Sequence, residues 1–238
     1  GRRPVLGVFI VPTGFQKPLG PAPGPTECLQ VLTHLAGVQE YQRLGVDTLM
    51  LLPDQKVDIA NLNNDLLPYP DASFDVVTAT EVIEHLEDFR RVVREIHRVL
   101  KPGGVCILST PNILNLNSRL RFLWFGFWNL FGPLPVKHSA LYSTGGHINP
   151  VSWFYVAHAL LDAGFPNATP HIDRIQRSSL PKLVLLYPLI KLFAAWAMRK
   201  ERVRYHTLDE ANEPLVHAMN SFDLLVGRTI IAKAVKAA

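Results

Sequence analysis

A chain of 238 residues, 48% of them hydrophobic, is long enough to bury a full core, and the usual domain size favours one domain over residues 1–238, with insertions. The two cysteines, Cys28 and Cys106, fit neither a disulfide framework nor a CxxC metal knuckle, which points to a reducing compartment. A net charge of +4, laid out among apolar residues, argues against a nucleic-acid-binding stripe.

In chain order, the leading Gly1-Arg2-Arg3 is not followed by a signal-peptide apolar region and cleavage site, so a cytoplasmic setting is expected. The Pro/Gly-rich stretch Pro18 to Pro25 must be loop. Leu44-Gly45-Val46-Asp47 and Val57-Asp58-Ile59 read as short strands, and Phe74 to Ala79 as a buried one. Between Asp88 and Leu100, Phe89, Val92, Val93, Ile96, Val99 and Leu100 recur at helical spacing, opposite Arg90, Arg91, Arg94, Glu95 and Arg98. Lys101-Pro102-Gly103-Gly104 stops that helix, and Val105 to Ser109 follows as a strand, completing a parallel strand, helix, strand unit. Pro150 to Ala163 reads as a helix capped by Asn149 and ended by Gly164. Asp223 to Ala234 reads as an apolar strand at a sheet edge.

Two insertions stand out, a lid at about 113–146 and an apolar helical segment at about 178–206. No Asp or Glu occurs between Glu95 and Asp162, nor between Asp173 and Glu201, so the charge in both regions is basic. The aromatic run 119–131 and the helix 180–200 are too short or too interrupted by Lys182, Pro188 and Lys191 to be convincing membrane spans. They fit a peripheral contact at the inner face of a membrane, with lysines reaching the headgroups. They fit equally a cover over the core or a homo-oligomer contact.

Leu67-Pro68-Tyr69-Pro70-Asp71-Ala72-Ser73-Phe74-Asp75, then Glu81-Val82-Ile83-Glu84-His85, then Arg98-Val99-Leu100-Lys101-Pro102-Gly103-Gly104 and Ser109-Thr110-Pro111-Asn112 resemble class I methyltransferases, in order and spacing, over about residues 44–112. The likeness points to ubiquinone-biosynthesis O-methyltransferases and small-RNA 2'-O-methyltransferases. It implies an α/β fold: a Rossmann-like, seven-stranded, mostly parallel sheet with helices on both faces and an antiparallel last strand. It also implies S-adenosylmethionine as cofactor, held by Thr13 and Gly14 of the first loop, by Asp47 at the ribose, by Asn61 and Leu62 near adenine, and by Thr80 and Glu81 at the methionine end. The first loop, Val11-Pro12-Thr13-Gly14, departs from the family's glycine-rich turn, with one well-placed glycine.

Glu81, Glu84 and His85 are spaced i, i+3, i+4, which on a helix covers an arc of about 100°. Through the resemblance to the small-RNA enzymes they form, with His147, a site for Mg²⁺, Mn²⁺ or Zn²⁺ beside the acceptor hydroxyl. Without metal, His85, with Glu81 beside it, would serve as the catalytic pair, His85 being the base. A third alternative leaves these residues as ordinary helix-start and loop groups. His138, His158 and His171 have no comparable context. The expected activity is methyl transfer to a hydroxyl of a small-molecule, glycan or lipid-linked acceptor. Its rivals are a methyltransferase-like binding module that has lost its cofactor, and RNA 2'-O-methylation.

Overall fold

In the computed structural model the described parts are the strands at 3–8, 41–46 and 57–58, together with residues 60–134 and 146–238. Thr13, Gly14, Cys28, Asp47, His138 and the expected Pro18 to Pro25 loop lie outside them. Strands β1 (Arg3–Val8), β2 (Tyr41–Val46), β3 (Val57–Asp58), β4 (Phe74–Thr80), β5 (Leu100–Pro111), β6 (Thr169–Ile172) and β7 (Thr229–Val235) pair in the order β3-β2-β1-β4-β5-β7-β6. The pairings from β3 to β5 are all parallel, and β7 runs antiparallel to both β5 and β6.

This order decides where a ligand can enter. The chain leaves β1 toward β2 and β3 on one side and resumes with β4 and β5 on the other, which opens a crevice at the carboxyl ends of β1 and β4. In register, Val8 faces Ala79 and Val46 faces Asp58, so the ends of β1 to β4 lie on one edge.

Helix α1 (Phe89–Val99) covers the sheet with Phe89, Val92, Val93, Ile96 and Val99, as its periodicity predicts. Asp88 is its cap, accepting from the Arg91 backbone N–H at 3.1 Å. The Lys101 to Gly104 breaker ends α1 but does not delay the next strand, which begins at Leu100. Phe74 pairs with Leu100 and Val76 with Val105, so the Pro/Gly residues bulge out of a continuous β5.

After β5, α2 (Leu116–Phe125) is capped by Asn115, which accepts from the Ser118 N–H at 2.9 Å, and it ends at Gly126, with φ 74°. Helix α3 (Trp153–Asp162) buries Trp153, Val156, Ala157, Ala159 and Leu160 against the sheet. Its capping position is Ser152, and Asn149 instead donates its side-chain amide to the Leu86 carbonyl, which corrects the expected cap. The remaining helices are α4 (Leu180–Lys200), α5 (Glu213–Ala218) and α6 (Phe222–Val226).

The expected strand from Asp223 is thus a helix up to Val226, and β7 lies inside the sheet with β6 beyond it. Gly227 makes this possible. A Cβ there would sit 2.4 Å from Ile172 Cγ2 and 2.8 Å from the Asp223 carbonyl oxygen, so only glycine lets α6 pass so near β6. Gly227→Ala is expected to cost about 1–3 kcal/mol through this overpacking, read as a lower denaturant midpoint at unchanged slope.

Candidate active site

Strand β4 delivers the first candidates. Thr80 is its last residue, and Glu81 leaves it with φ 53°, a left-handed backbone that a non-glycine residue adopts at a cost. The Glu81 N–H donates to the Ser109 carbonyl and hydroxyl oxygens, each at 3.2 Å, which locks this turn onto the end of β5.

The next residues do not form the α-helix that the i, i+3, i+4 spacing suggests. Ile83–His85 is a single 3-10 turn, and Glu84 is turned inward with no exposed surface. The segment at 146–149 is tied to it: the Ile148 and Asn149 N–H groups both donate to the Glu84 carbonyl at 2.9 Å. His85 Nδ1 donates to the Gly146 carbonyl at 3.2 Å. The rings of His85 and His147 meet edge to face, their centroids 4.8 Å apart.

Ligand atoms of Glu84, His85 and His147 consequently lie within 4.8 Å of one another. Glu81 adjoins Glu84, and Asp173 is a further negative neighbour of Glu81. Burial pushes both glutamate carboxyls upward; Asp173 adds to this at Glu81, and Glu81 adds to it at Glu84. The Glu84 carboxyl is shut off from solvent beside Glu81 and Thr110. Burial lowers both imidazoles, His147 to about 4 with His85 as a further cause.

The tautomers follow from these bonds. A carbonyl can only accept, so neutral His85 carries its proton on Nδ1 and keeps the lone pair of Nε2. The His147 ring is bonded to the Leu130 backbone, its Nδ1 is buried without a partner, and the Phe131 ring lies tilted against it, centroids 5.1 Å apart. Two unprotonated nitrogens and a buried carboxyl are thus held together by backbone bonds, a donor set that could hold a divalent cation. The fit to a cation rests on these donor atoms.

The adenine-side candidates fall nearby. Asn61 builds a tight turn, its carbonyl accepting from the Asn64 and Asp65 N–H groups. Leu62 is buried, and its carbonyl accepts from Arg91 at 2.8 Å. In the same turn, Asn63 Oδ1 accepts from the Glu87 N–H at 2.9 Å, joining the 61–65 turn to the segment that follows His85. Asp58, at the end of β3, accepts from the Tyr69 hydroxyl at 2.9 Å. The structure therefore brings Asn61, Leu62, Thr80, Glu81, Glu84, His85 and His147 to one edge of the sheet. Sequence reasoning missed Ser109, Asp173 and the Leu130 carbonyl; only Ser109 had a visible signal, as the end of a predicted strand.

A parallel sheet with a reversed neighbour inserted before its last position, and a polar cluster at the β4 carboxyl end, define the Rossmann-like methyltransferase architecture. Known proteins agree with this assignment. Residues 30–108 match the family model described as Methyltransferase domain. A probable S-adenosylmethionine-dependent methyltransferase of Mycolicibacterium smegmatis is 56% identical over 57 residues, 24% of this chain and 22% of that protein. A demethylmenaquinone methyltransferase of Listeria monocytogenes is 47% identical over 118 residues, 45% of this chain and 50% of that protein. The chain thus spans half or less of the length of these two relatives. A solved methyltransferase from Archaeoglobus fulgidus shares the fold, with a TM-score of 0.52 over 99% of this chain and 87% of that one, at 17% identity. Residues 30–108 thus match a methyltransferase domain, and the chain is similar to S-adenosylmethionine-dependent methyltransferases.

Proposed function

We propose that the chain transfers a methyl group from S-adenosylmethionine to an acceptor whose hydroxyl is deprotonated at the Glu84, His85 and His147 cluster. The observation that carries this is His85 Nε2, an unprotonated imidazole nitrogen beside a buried carboxylate pair at the edge where the cofactor crevice opens. The sulfonium is already a good leaving group, so the protein's remaining tasks are to remove one proton and to hold acceptor, methyl carbon and sulfur in line.

In this reading Thr80 and Glu81 face the methionine end, while Asn61 and Leu62 line the nucleoside. Thr13, Gly14 and Asp47 complete the cofactor site by resemblance. Without metal, His85 accepts the acceptor's proton, and Phe131 and the Leu130 carbonyl keep the His147 ring in place. Glu81, Glu84, His85 and His147 fit Mg²⁺, Mn²⁺ or Zn²⁺, which when bound would lower the pKa of the acceptor hydroxyl.

The acceptor is an amphipathic hydroxyl compound, such as a glycan, a lipid-linked molecule or a quinol. The demethylmenaquinone relatives favour a second reading in which the same deprotonation activates a ring carbon. Product analysis with a hydroquinone acceptor separates oxygen from carbon methylation. Calorimetry with S-adenosylhomocysteine is expected to give saturable heat, and none at millimolar ligand would sink the cofactor assignment. EDTA should reduce turnover and Mn²⁺ should restore it; unchanged turnover in EDTA assigns the proton to His85 without metal.

A further inference from the structure

We propose that the outward face of α4 is a docking surface for an anionic lipid membrane, on which the helix lies flat without crossing it. One side of α4 is already used: Leu183, Leu186 and Ile190 pack on Leu116, Leu225 and Val226. The other side carries two adjacent rows at i, i+4 spacing, Val184-Pro188-Leu192-Trp196 and Leu185-Leu189-Phe193. These side chains are exposed, Val184 by 81%, Leu185 by 75% and Phe193 by 61%. None of the helix's most apolar window is buried. A continuous apolar stripe of this length is costly in water and marks a surface that something covers.

Charge identifies the cover. Between Asp173 and Glu201 every charged residue is a Lys or Arg, and Lys191, Arg199 and Lys200 flank the stripe. Lys200 lies 4.2 Å from the Trp196 ring and Lys191 5.3 Å from the Tyr187 ring, pairs that put a cation and an aromatic at the same depth, as a headgroup region favours. Beyond the helix, Arg202 is paired with Glu213 and Glu201 accepts from Thr207, so the nearby acids are partly engaged. A second copy of this face would set cations against cations, whereas an anionic bilayer attracts them.

Length alone would let α4 span, since 21 residues extend about 32 Å. Its attachments forbid it. At the amino end Lys182 donates to Asn117 of α2 and to the Ser178 carbonyl at 3.0 Å. At the carboxyl end the Arg202 to Glu213 pair joins the following turn to α5, which packs on α3. Both ends thus return to one globule, so the helix stays on one side of a bilayer. Pro188 also withdraws the N–H that would meet the Val184 carbonyl, a group that water at an interface can satisfy.

The test uses the full chain and is read independently of methyl transfer. Co-sedimentation with phosphatidylcholine vesicles, with and without phosphatidylglycerol, should show binding that depends on the anionic lipid, falls with salt, shifts Trp emission to the blue and is released by alkaline carbonate. The triple variant Leu185→Glu, Leu189→Glu, Phe193→Glu should bind more than about tenfold less while keeping its thermal midpoint and its affinity for S-adenosylhomocysteine. Lys191→Gln with Arg199→Gln and Lys200→Gln should lose the lipid preference. Absence of vesicle binding, equal binding to neutral vesicles, retention after carbonate, or a dimer that the triple variant breaks without any vesicle binding would each overturn the proposal.

Discussion

Glu84→Met is expected to abolish methyl transfer, by at least about a hundredfold, and at the same time to make the protein harder to unfold. The two effects have one cause. Glu84 is fully buried beside a second carboxyl, Glu81, and stays there at a desolvation cost, which an unbranched apolar side chain of similar volume does not incur. The gain should be about 1 kcal/mol in EDTA, or roughly 2–4 °C in Tm for a chain of this size. In saturating Mn²⁺ the order should reverse if the cluster holds a cation, because only the wild type then gains binding energy. A residue kept for stability would behave oppositely, so an E84M protein with a lower Tm in EDTA and preserved turnover removes Glu84 from the site. Glu84→Asp, which keeps the carboxyl but shortens the reach, should retain more activity than Glu84→Met.

Arg98→Ala is expected to cause a loss of stability that is large for a partly exposed residue, about 3 kcal/mol and roughly 6–12 °C in Tm. Its guanidinium donates to Glu95 at 2.8 and 3.0 Å, to Asp71 at 2.7 Å, and to the Leu67 and Tyr69 carbonyls at 3.1 and 2.9 Å. Those bonds clamp the Leu67 to Asp71 segment onto α1. Leu67 N–H adds a bond to Glu95, and Asp71 is 79% exposed, so the weight of the effect falls on Glu95 and the carbonyls. Arg98 holds the Glu95 carboxyl below its ordinary range. The sign follows: a depressed folded value means that the unfolded chain binds the proton first as pH falls. The Glu95 contribution is complete above the ordinary carboxylate range and is lost as pH drops through the lower folded value. The stability gap between wild type and Glu95→Gln should therefore close in acid, and a gap independent of pH between 7 and about 3 refutes this account.

The parts of the fold that could be read in advance are those whose signal is local. Phe89 to Val99 buries its apolar stripe as the 3.6-residue period requires, and β4 lies where the reading of Phe74 to Ala79 placed it. What failed depended on distant contacts. The Lys101 to Gly104 residues contain both breakers, yet pairing with β4 on both sides of the bulge carries β5 through them. Thr169–Ile172 contains a proline and only one strongly apolar residue, so nothing local marks β6; it exists because β7 offers an open edge, and that pairing moves β7 inward. In the site, residue types were legible but roles were not. The sequence leaves Glu84 open between a metal ligand and an ordinary helix-start group, and only the 3-10 turn, with the 146–149 segment drawn to its carbonyl, shows that it is buried. For α4 the apolar character was plain, but which side meets the protein is decided by Leu116, Leu225 and Val226 from two other helices.

The position of β7 also sets the sequence of events in folding. Residues 169–172 are made well before 229–235, yet β6 has no other described partner in the sheet, and the Asn112 amide must wait for the Leu224 and Gly227 carbonyls. Such long-range closures are slow because chain entropy is lost before the contacts form. During synthesis, the half of the sheet made of β1 to β5 can assemble while the strip between β5 and its far edge stands open. Apolar Ile107 on β5 would then be uncovered, and a chaperone or an aggregating neighbour meets the nascent protein along that seam.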